Sequence, residues 1–162
     1  IQERTVVAVL ATPVRVVDFL AAKSIFGVGL AFVEVALLAL LIGAFAVNAP
    51  AVIVILLLGA FLVTGFGMIA GSYGRDFIGT LMVAMLFMIP LMIPAFGALF
   101  PGSSPVWIKV LPTYGMVEAV IGVTIDGDSW SQIAPAVLML AAWGVAAFAA
   151  GALILKRRVA TL

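Results

Sequence analysis

The sequence predicts an all-α protein, a polytopic transmembrane helical bundle, and its composition and its apolar runs carry this prediction. Of the 162 residues, 66% are hydrophobic and 9% are charged, whereas a soluble domain carries about 25% charged residues. The apolar residues form long unbroken runs, such as residues 51–68. A transmembrane β-barrel would instead alternate apolar and polar residues along strands of about ten residues. Helices that cross a bilayer are therefore favoured.

The sequence lacks several features that catalytic and metal sites need. It contains no Cys and no His, which excludes thiol nucleophiles, disulfides, haem ligation by His and the usual zinc sites. It has no Gly-x-x-x-x-Gly-Lys-Ser/Thr loop, so we expect no bound ATP of that kind and no cofactor in this chain. The net charge of +1 gives no reason to expect a nucleic-acid partner.

Residues 1–23 are predicted to form a cytoplasmic segment that does not span the membrane. The charged residues that interrupt it are Arg4, Arg15 and Asp18. Pro13 divides the segment, since Pro is tolerated in the first turn of a helix but breaks its interior. We therefore expect two short helices, residues 5–11 and 14–22, with Thr12 as the cap of the second. The segment is either a contact for a cytoplasmic partner or an amphipathic helix resting in the lipid headgroups.

Residues 24–162 are predicted to form the transmembrane domain. About twenty apolar residues suffice to cross the hydrocarbon core, and the stretches that qualify are residues 24–47, 51–70, 77–100 and 133–155. A turn is expected at residues 48–50. The stretch 101–130 contains two segments that are too short to span the membrane. They form either a re-entrant pair or helices that lie in the outer leaflet, and the sequence leaves both arrangements open.

Basic residues lie mostly on one side of the predicted spans. Seven of the eight, Lys109 being the exception, fall on the side that holds both chain ends. Because cytoplasmic loops carry an excess of Lys and Arg, we predict a multi-pass protein of the cell membrane with both ends of this segment cytoplasmic and residues 101–130 outside.

Two motifs resemble the ABC-2 type transporter permeases, the membrane subunits of ATP-binding cassette exporters. The first is the family's cytoplasmic coupling segment, whose places are filled here by Glu3, Arg4, Thr5, Thr12, Pro13, Asp18 and Lys23. Arg4 stands directly before Thr5, where the family commonly carries Gly. The second is an apolar Pro-containing span ending in Phe100-Pro101, followed by the segment LPTYGMVEA of residues 111–119. The order of these parts along the chain also fits the family.

The resemblance implies a transport subunit rather than an enzyme. It implies a cytoplasmic ATP-binding cassette ATPase as partner, with ATP and Mg on that partner, and a second permease copy or a homologue. It also implies that the family's first two spans precede this sequence. The residues implied to couple the chain to the ATPase are Glu3, Arg4, Thr5, Thr12, Pro13, Arg15 and Asp18. The expected cargo, moved outward by alternating access, is hydrophobic or amphiphilic, drug-like or lipid-like.

Five residues are candidates for the substrate path or gate. Glu34 lies inside the first predicted span, where a carboxylate is costly and indicates either a functional site or a hydrogen-bonded structural group. Pro90 and Pro94 are expected to kink the third span near its outer end, as a gate or as a tolerated kink. Tyr114 and Glu118 lie in the external segment before the last span.

Two other classes of function stay open from the residues. Glu34, Glu118, Asp126 and Asp128 could serve an integral membrane enzyme acting on lipid, and the two aspartates could hold a divalent ion, although an exposed turn also explains them. A non-catalytic channel or assembly subunit would need neither ATP nor the charges of residues 1–23. Trp107, Trp130 and Tyr114 fit an interfacial aromatic belt.

Overall fold

The computed structural model describes residues 16–73, 76–100, 102 and 104–159. Four long helices dominate these residues: α1 (Val16–Leu41), α2 (Phe45–Tyr73), α3 (Phe77–Leu99) and α6 (Trp130–Val159). Between α3 and α6 lie two short helices, α4 (Val106–Lys109) and α5 (Pro112–Ile121), and a π-helical turn (Gly122–Asp126). All four long helices are apolar enough and long enough to cross a membrane, which confirms the predicted polytopic helical bundle.

Helix α1 differs from the prediction at its start. It runs without a break from Val16 through Lys23 into the apolar span, so the expected separation between residues 23 and 24 is not a break in the helix. The local reason is that residues 16–26 contain neither Gly nor Pro, and a lone Lys does not interrupt helical hydrogen bonding. The predicted helix 5–11 and the joint at Thr12 lie outside the described residues.

Helix α1 also ends earlier than residue 47, because Gly43 stops it. Gly43 takes a left-handed conformation with φ +72°. Its N–H donates to the Leu40 carbonyl (3.1 Å), and the N–H of Ala44 donates to the Ala39 carbonyl (2.9 Å). These two bonds form the Schellman motif, in which a left-handed residue, usually Gly, satisfies the last carbonyls of a helix.

The turn predicted at residues 48–50 is a kink inside α2. Asn48 has non-helical φ and ψ of −145° and 77°, and its Oδ1 accepts a hydrogen bond from the Ala51 N–H (3.3 Å). Asn48 thus caps the main part of α2, and Pro50 is tolerated because it lies in the first turn after that cap.

The starts of α3 and α6 are set by side-chain caps. The Asp76 carboxylate accepts a hydrogen bond from the Gly79 N–H (2.6 Å), and α3 then follows the predicted bounds closely. Before α6, the Gln132 side chain accepts a hydrogen bond from the Ser129 N–H (2.7 Å). This is the return half of a capping box, and it explains why α6 begins at Trp130 rather than near residue 133.

Helix α2 is the centre of the bundle. Its buried residues include Val52, Ile55 and Leu62, which pack in one cluster with Val123 of the π turn and Leu140 of α6. Helices α2 and α6 run parallel, whereas α1 runs antiparallel to α2, with Gly27 against Thr64. The direction of the long helices therefore alternates along the chain. We call the bundle end that holds residues 42–44, 100 and 104–129 the re-entrant end, and the opposite end, which holds Lys23 of α1 and Arg157 of α6, the basic end.

Candidate functional site

The segment between α3 and α6 enters the bundle and returns. Ile108 of α4 lies against Gly97, near the end of α3. The Thr113 hydroxyl then donates to the carbonyl of Leu91 (2.6 Å), which lies about 12 Å below the α3 end at 1.5 Å per helical residue. From there α5 leads back through the π turn to the start of α6. This inward and outward path is compatible with a re-entrant pair, and the choice between that pair and helices lying in the outer leaflet stays a prediction.

The deepest residues of this pair, 110–113, are called the re-entrant tip. On the side opposite Leu91, the indole N–H of Trp143 donates to the Val110 carbonyl (2.9 Å). Trp143 lies about 20 Å along α6 from Trp130 at the same helical rise. The tip is thus hydrogen-bonded both to α3 and to α6.

Tyr114 follows the tip and is buried, with 2% of its surface exposed. It packs in a cluster with Ala98 of α3 and Ile108 of α4, and Val117 lies against the same cluster. Burial raises the pKa of the Tyr114 phenol, and the carboxylate of Glu118 raises it further. Tyr114 is therefore a neutral, largely apolar contact in this site, while Glu118 itself is exposed on α5.

The two prolines of α3 differ in burial. Pro94 is buried and Pro90 is exposed. Each removes one helical N–H donor, so the carbonyls of Leu86 and Pro90 lose their usual intrahelical partners. Helix α3 still continues through both prolines to Leu99. The expectation that both fall inside the third span is met, and whether they gate a path remains a prediction.

The five candidates for the substrate path are split between two places. Pro90, Pro94, Tyr114 and Glu118 belong to α3 and α5, which pack directly on each other. Glu34 lies on α1, which packs chiefly against α2, and its side chain is exposed. Four of the five candidates therefore lie on two helices that pack on each other, whereas Glu34 lies on an exposed face of α1.

The coupling residues are described only in part. Asp18 is exposed in the first turn of α1. The other residues of the predicted contact lie outside the described residues, and these are Glu3, Arg4, Thr5, Thr12, Pro13 and Arg15. Their role stays a prediction.

The acidic residues do not converge in the part of the chain that the structure describes. No group of three or more His, Cys, Asp or Glu there could hold a metal ion. Asp128 is half-buried above Gly122, where an added Cβ would lie 2.6 Å from its Oδ2. Asp126 is exposed in the π turn. The Gly127 between them takes φ +70°, so this acidic pair forms a turn.

Sequence reasoning missed three residues that position the site. Thr113 and Trp143 hold the tip, and the Ser104 hydroxyl donates to the Gly97 carbonyl (2.6 Å). Thr113 is the residue directly after Pro112 in the recognised segment, which is a weak signal. Trp143 gave a stronger one, because a Trp deep inside a predicted span needs a partner for its N–H.

Comparison with known proteins gives one match. The sequence model of a family described as ABC-2 family transporter protein matches residues 2–153. No curated protein and no solved structure matches the chain. The matched range includes all four membrane-crossing helices to near the end of α6, the re-entrant pair, and nearly all of the predicted coupling segment.

Proposed function

This chain belongs to the ABC-2 transporter family, and we propose that it is the permease subunit of an ATP-driven exporter. In this proposal it moves a hydrophobic or amphiphilic cargo, drug-like or lipid-like, outward across the cell membrane by alternating access. ATP is hydrolysed on a separate cytoplasmic ATPase, and the permease works with a second copy or a homologue. Both ends of this segment are cytoplasmic, as the distribution of Lys and Arg predicts.

The observation that carries the proposal is the continuity of α1. One unbroken helix joins Val16 and Asp18, next to the predicted coupling segment, to the span that ends at Leu41. A helix of this length transmits displacement along its axis, because its backbone hydrogen bonds resist bending. A push or rotation that an ATPase applies at residues 16–18 would therefore move the whole span as a rigid body.

The open face of α3 supports a hydrophobic cargo of variable shape. Four of the seven methionines of the chain lie on α3 with their side chains exposed: Met82, Met85, Met88 and Met92. The thioether side chain is flexible and polarizable, and Met-rich surfaces adapt to differently shaped apolar partners. The other three methionines fill gaps inside the bundle, each against a glycine.

The first test asks whether an ATPase binds through the predicted coupling residues. The full-length protein is purified in detergent as wild type and as Arg4→Glu/Arg15→Glu, and co-purified ATPase activity is measured. We expect the wild type to retain an ATPase and the variant to lose it or to uncouple it, because two cationic contacts become anionic.

The matched control is Arg157→Glu/Arg158→Glu, which makes the same change of charge at the basic end of the bundle but outside the coupling segment. We expect this control to keep the ATPase. Equal loss of the ATPase in both variants would mean that positive charge at this end of the bundle, rather than the coupling segment itself, holds the partner. Absence of an ATPase from every sample would overturn the exporter proposal and favour a channel subunit or a membrane enzyme.

A further inference from the structure

Helices α2, α5 and α6 form a closely packed core in which glycines accept neighbouring side chains or backbone. Added Cβ atoms at Gly59 and Gly115 would lie 2.7 Å from Met116 Cε and 2.6 Å from Met139 Cε. Between α2 and α6, a Cβ at Gly65 would lie 2.9 Å from the Phe148 backbone nitrogen. Because the contact at Gly65 is with backbone, α2 and α6 have little room to move against each other, while the flexible methionine ends fill the space between α5 and both helices.

Helix α3 is attached to this core unevenly. Its buried residues are Pro94 and Ala98, both near the re-entrant end. The same end is hydrogen-bonded through Leu91 to Thr113 (2.6 Å) and through Gly97 to Ser104 (2.6 Å). The other part, residues 77–90, has no buried residue, and its Phe87 ring meets Phe66 of α2 at 5.8 Å between centroids.

The change from the attached part to the open part falls at Pro90. The missing N–H groups of Pro90 and Pro94 weaken the α3 backbone over two successive turns. Leu91, whose carbonyl accepts the Thr113 hydroxyl, lies directly between them. The hydrogen bond from α5 thus meets α3 at the point where the helix is easiest to bend.

We propose that Thr113 is a positioning residue that fixes residues 91–99 of α3 to the core, so that bending at Pro90 displaces residues 77–89. The re-entrant tip can serve as this anchor because Trp143 holds it to α6 from the other side (2.9 Å). In the working transporter this arrangement converts motion at the basic end into a hinge motion of residues 77–89. That last step rests on the proposed export function, whereas the anchoring itself does not.

The experiment measures the anchoring directly, without nucleotide or partner. The 162 residues contain no Cys, so nitroxide labels can be attached at introduced cysteines once any Cys elsewhere in the full-length protein has been replaced by Ser. One pair, Phe96→Cys/Leu138→Cys, reports the anchored part of α3 against α6. The second pair, Met82→Cys/Leu153→Cys, reports the open part. All four positions are exposed, and the labelled full-length protein is diluted with unlabelled protein before distances are measured by pulsed electron paramagnetic resonance.

We expect a narrow distance distribution for the Phe96/Leu138 pair and a broader one for the Met82/Leu153 pair. Thr113→Val keeps the shape of the side chain but removes the hydroxyl, so the narrow distribution should be lost while the second pair is unchanged. Thr113→Ser restores the hydroxyl and should restore the narrow distribution. The control is Thr124→Val, whose hydroxyl bonds to the Val120 carbonyl one turn back in the chain (2.6 Å), and it should leave both pairs unchanged.

The proposal is overturned if Thr113→Val leaves the Phe96/Leu138 distribution narrow, or if Thr124→Val broadens it equally. Equal widths of the two pairs in the wild type would also overturn it. Should Thr113→Val fail to fold, Thr113→Ala takes its place with the same expectations. None of these distance measurements uses ATP. Failure of the anchoring proposal and failure of the proposed export function would therefore appear in different experiments.

Discussion

Gly65 of α2 faces the backbone of Phe148 on α6 so closely that an added Cβ would lie 2.9 Å from the Phe148 nitrogen. The same Cβ would lie 3.0 Å from the Cβ of Ala147. Next to this contact the rings of Phe61 and Phe148 stack with their centroids 4.7 Å apart. The small residue at position 65 therefore sets how closely the two central helices approach.

Gly65→Ala is expected to destabilise the bundle. The atom that the new methyl group would meet belongs to the backbone, so α6 must shift, and overpacking of this kind costs about 1–3 kcal/mol. The control is Gly67→Ala on the same helix, where an added Cβ meets nothing within 4 Å. Thermal unfolding of the two purified variants in detergent checks the difference, and equal unfolding temperatures would show that the helices do not meet at Gly65.

Trp143→Phe is expected to loosen the re-entrant tip. The substitution keeps an aromatic ring but removes the N–H that bonds to the Val110 carbonyl (2.9 Å), at a cost of about 1 kcal/mol. Limited proteolysis of residues 100–111 should become faster, because the tip is released from α6. Trp107→Phe is the control, since that side chain is 64% exposed, and a similar increase there would assign the effect to aromatic content rather than to the hydrogen bond.

Tyr114 is expected to contribute through its ring rather than through its hydroxyl. Tyr114→Ala removes a side chain that is 2% exposed and should cost about 3–5 kcal/mol in unfolding free energy. Tyr114→Phe keeps the ring and should cost far less. Chemical denaturation of both variants measures the two losses, and equal losses would mean that the hydroxyl carries the contribution.

The raised pKa of Tyr114 predicts a dependence of stability on alkaline pH. Above the ordinary tyrosine pKa of about 10, the phenol ionises more readily in the unfolded chain than in the folded one. The unfolding free energy should therefore fall as pH rises through that range. Tyr114→Phe should show a smaller fall than the wild type, and an identical fall would show that ionisation of Tyr114 makes no contribution.

Glu34→Gln is expected to alter transport without altering stability. The Glu34 side chain is exposed on α1, so the described chain loses no buried contact when the charge is removed. If Glu34 faces the cargo, export of a cationic amphiphile should fall relative to that of a neutral one of similar size. Asp126→Asn, an exposed carboxylate in the π turn, serves as control. If export of both cargoes fell equally, Glu34 would not recognise the charge of the cargo.

Helix bounds were predictable where a local signal marks them. The third span is predicted to begin at residue 77, where Asp76 caps α3, and the turn predicted at residues 48–50 is the kink at Asn48 in α2. The end of α1 also has a local signal, Gly43, which lies inside the predicted span 24–47. Its role depends on the left-handed φ that the chain takes there, and Gly inside a membrane span does not by itself indicate a helix end.

The candidate site was predictable as a set of residues but not as an arrangement. Glu34 is a candidate because a carboxylate inside a span is costly, and Pro94 because it interrupts a helix, yet α1 packs on α2 and α3 packs on α5. Similarly, Gly67 and Gly71 form a small-residue motif in the sequence, but an added Cβ at either meets nothing within 4 Å. Which face of a helix is covered depends on its neighbours.

The amino-acid sequence alone determined the helical membrane class of this protein, the four candidate spans of the described residues and the family resemblance. These follow from hydrophobicity and short motifs, which are properties of neighbouring residues, and a bilayer admits few backbone structures. Only the tertiary structure decided that residues 110–113 enter the bundle. The bonds that hold them join Thr113 to Leu91 and Trp143 to Val110, residues 22 and 33 positions apart. Whether such distant groups meet depends on how the helices pack. Many carbonyl groups along the chain could accept a hydrogen bond from either donor, so the sequence alone does not select the partner.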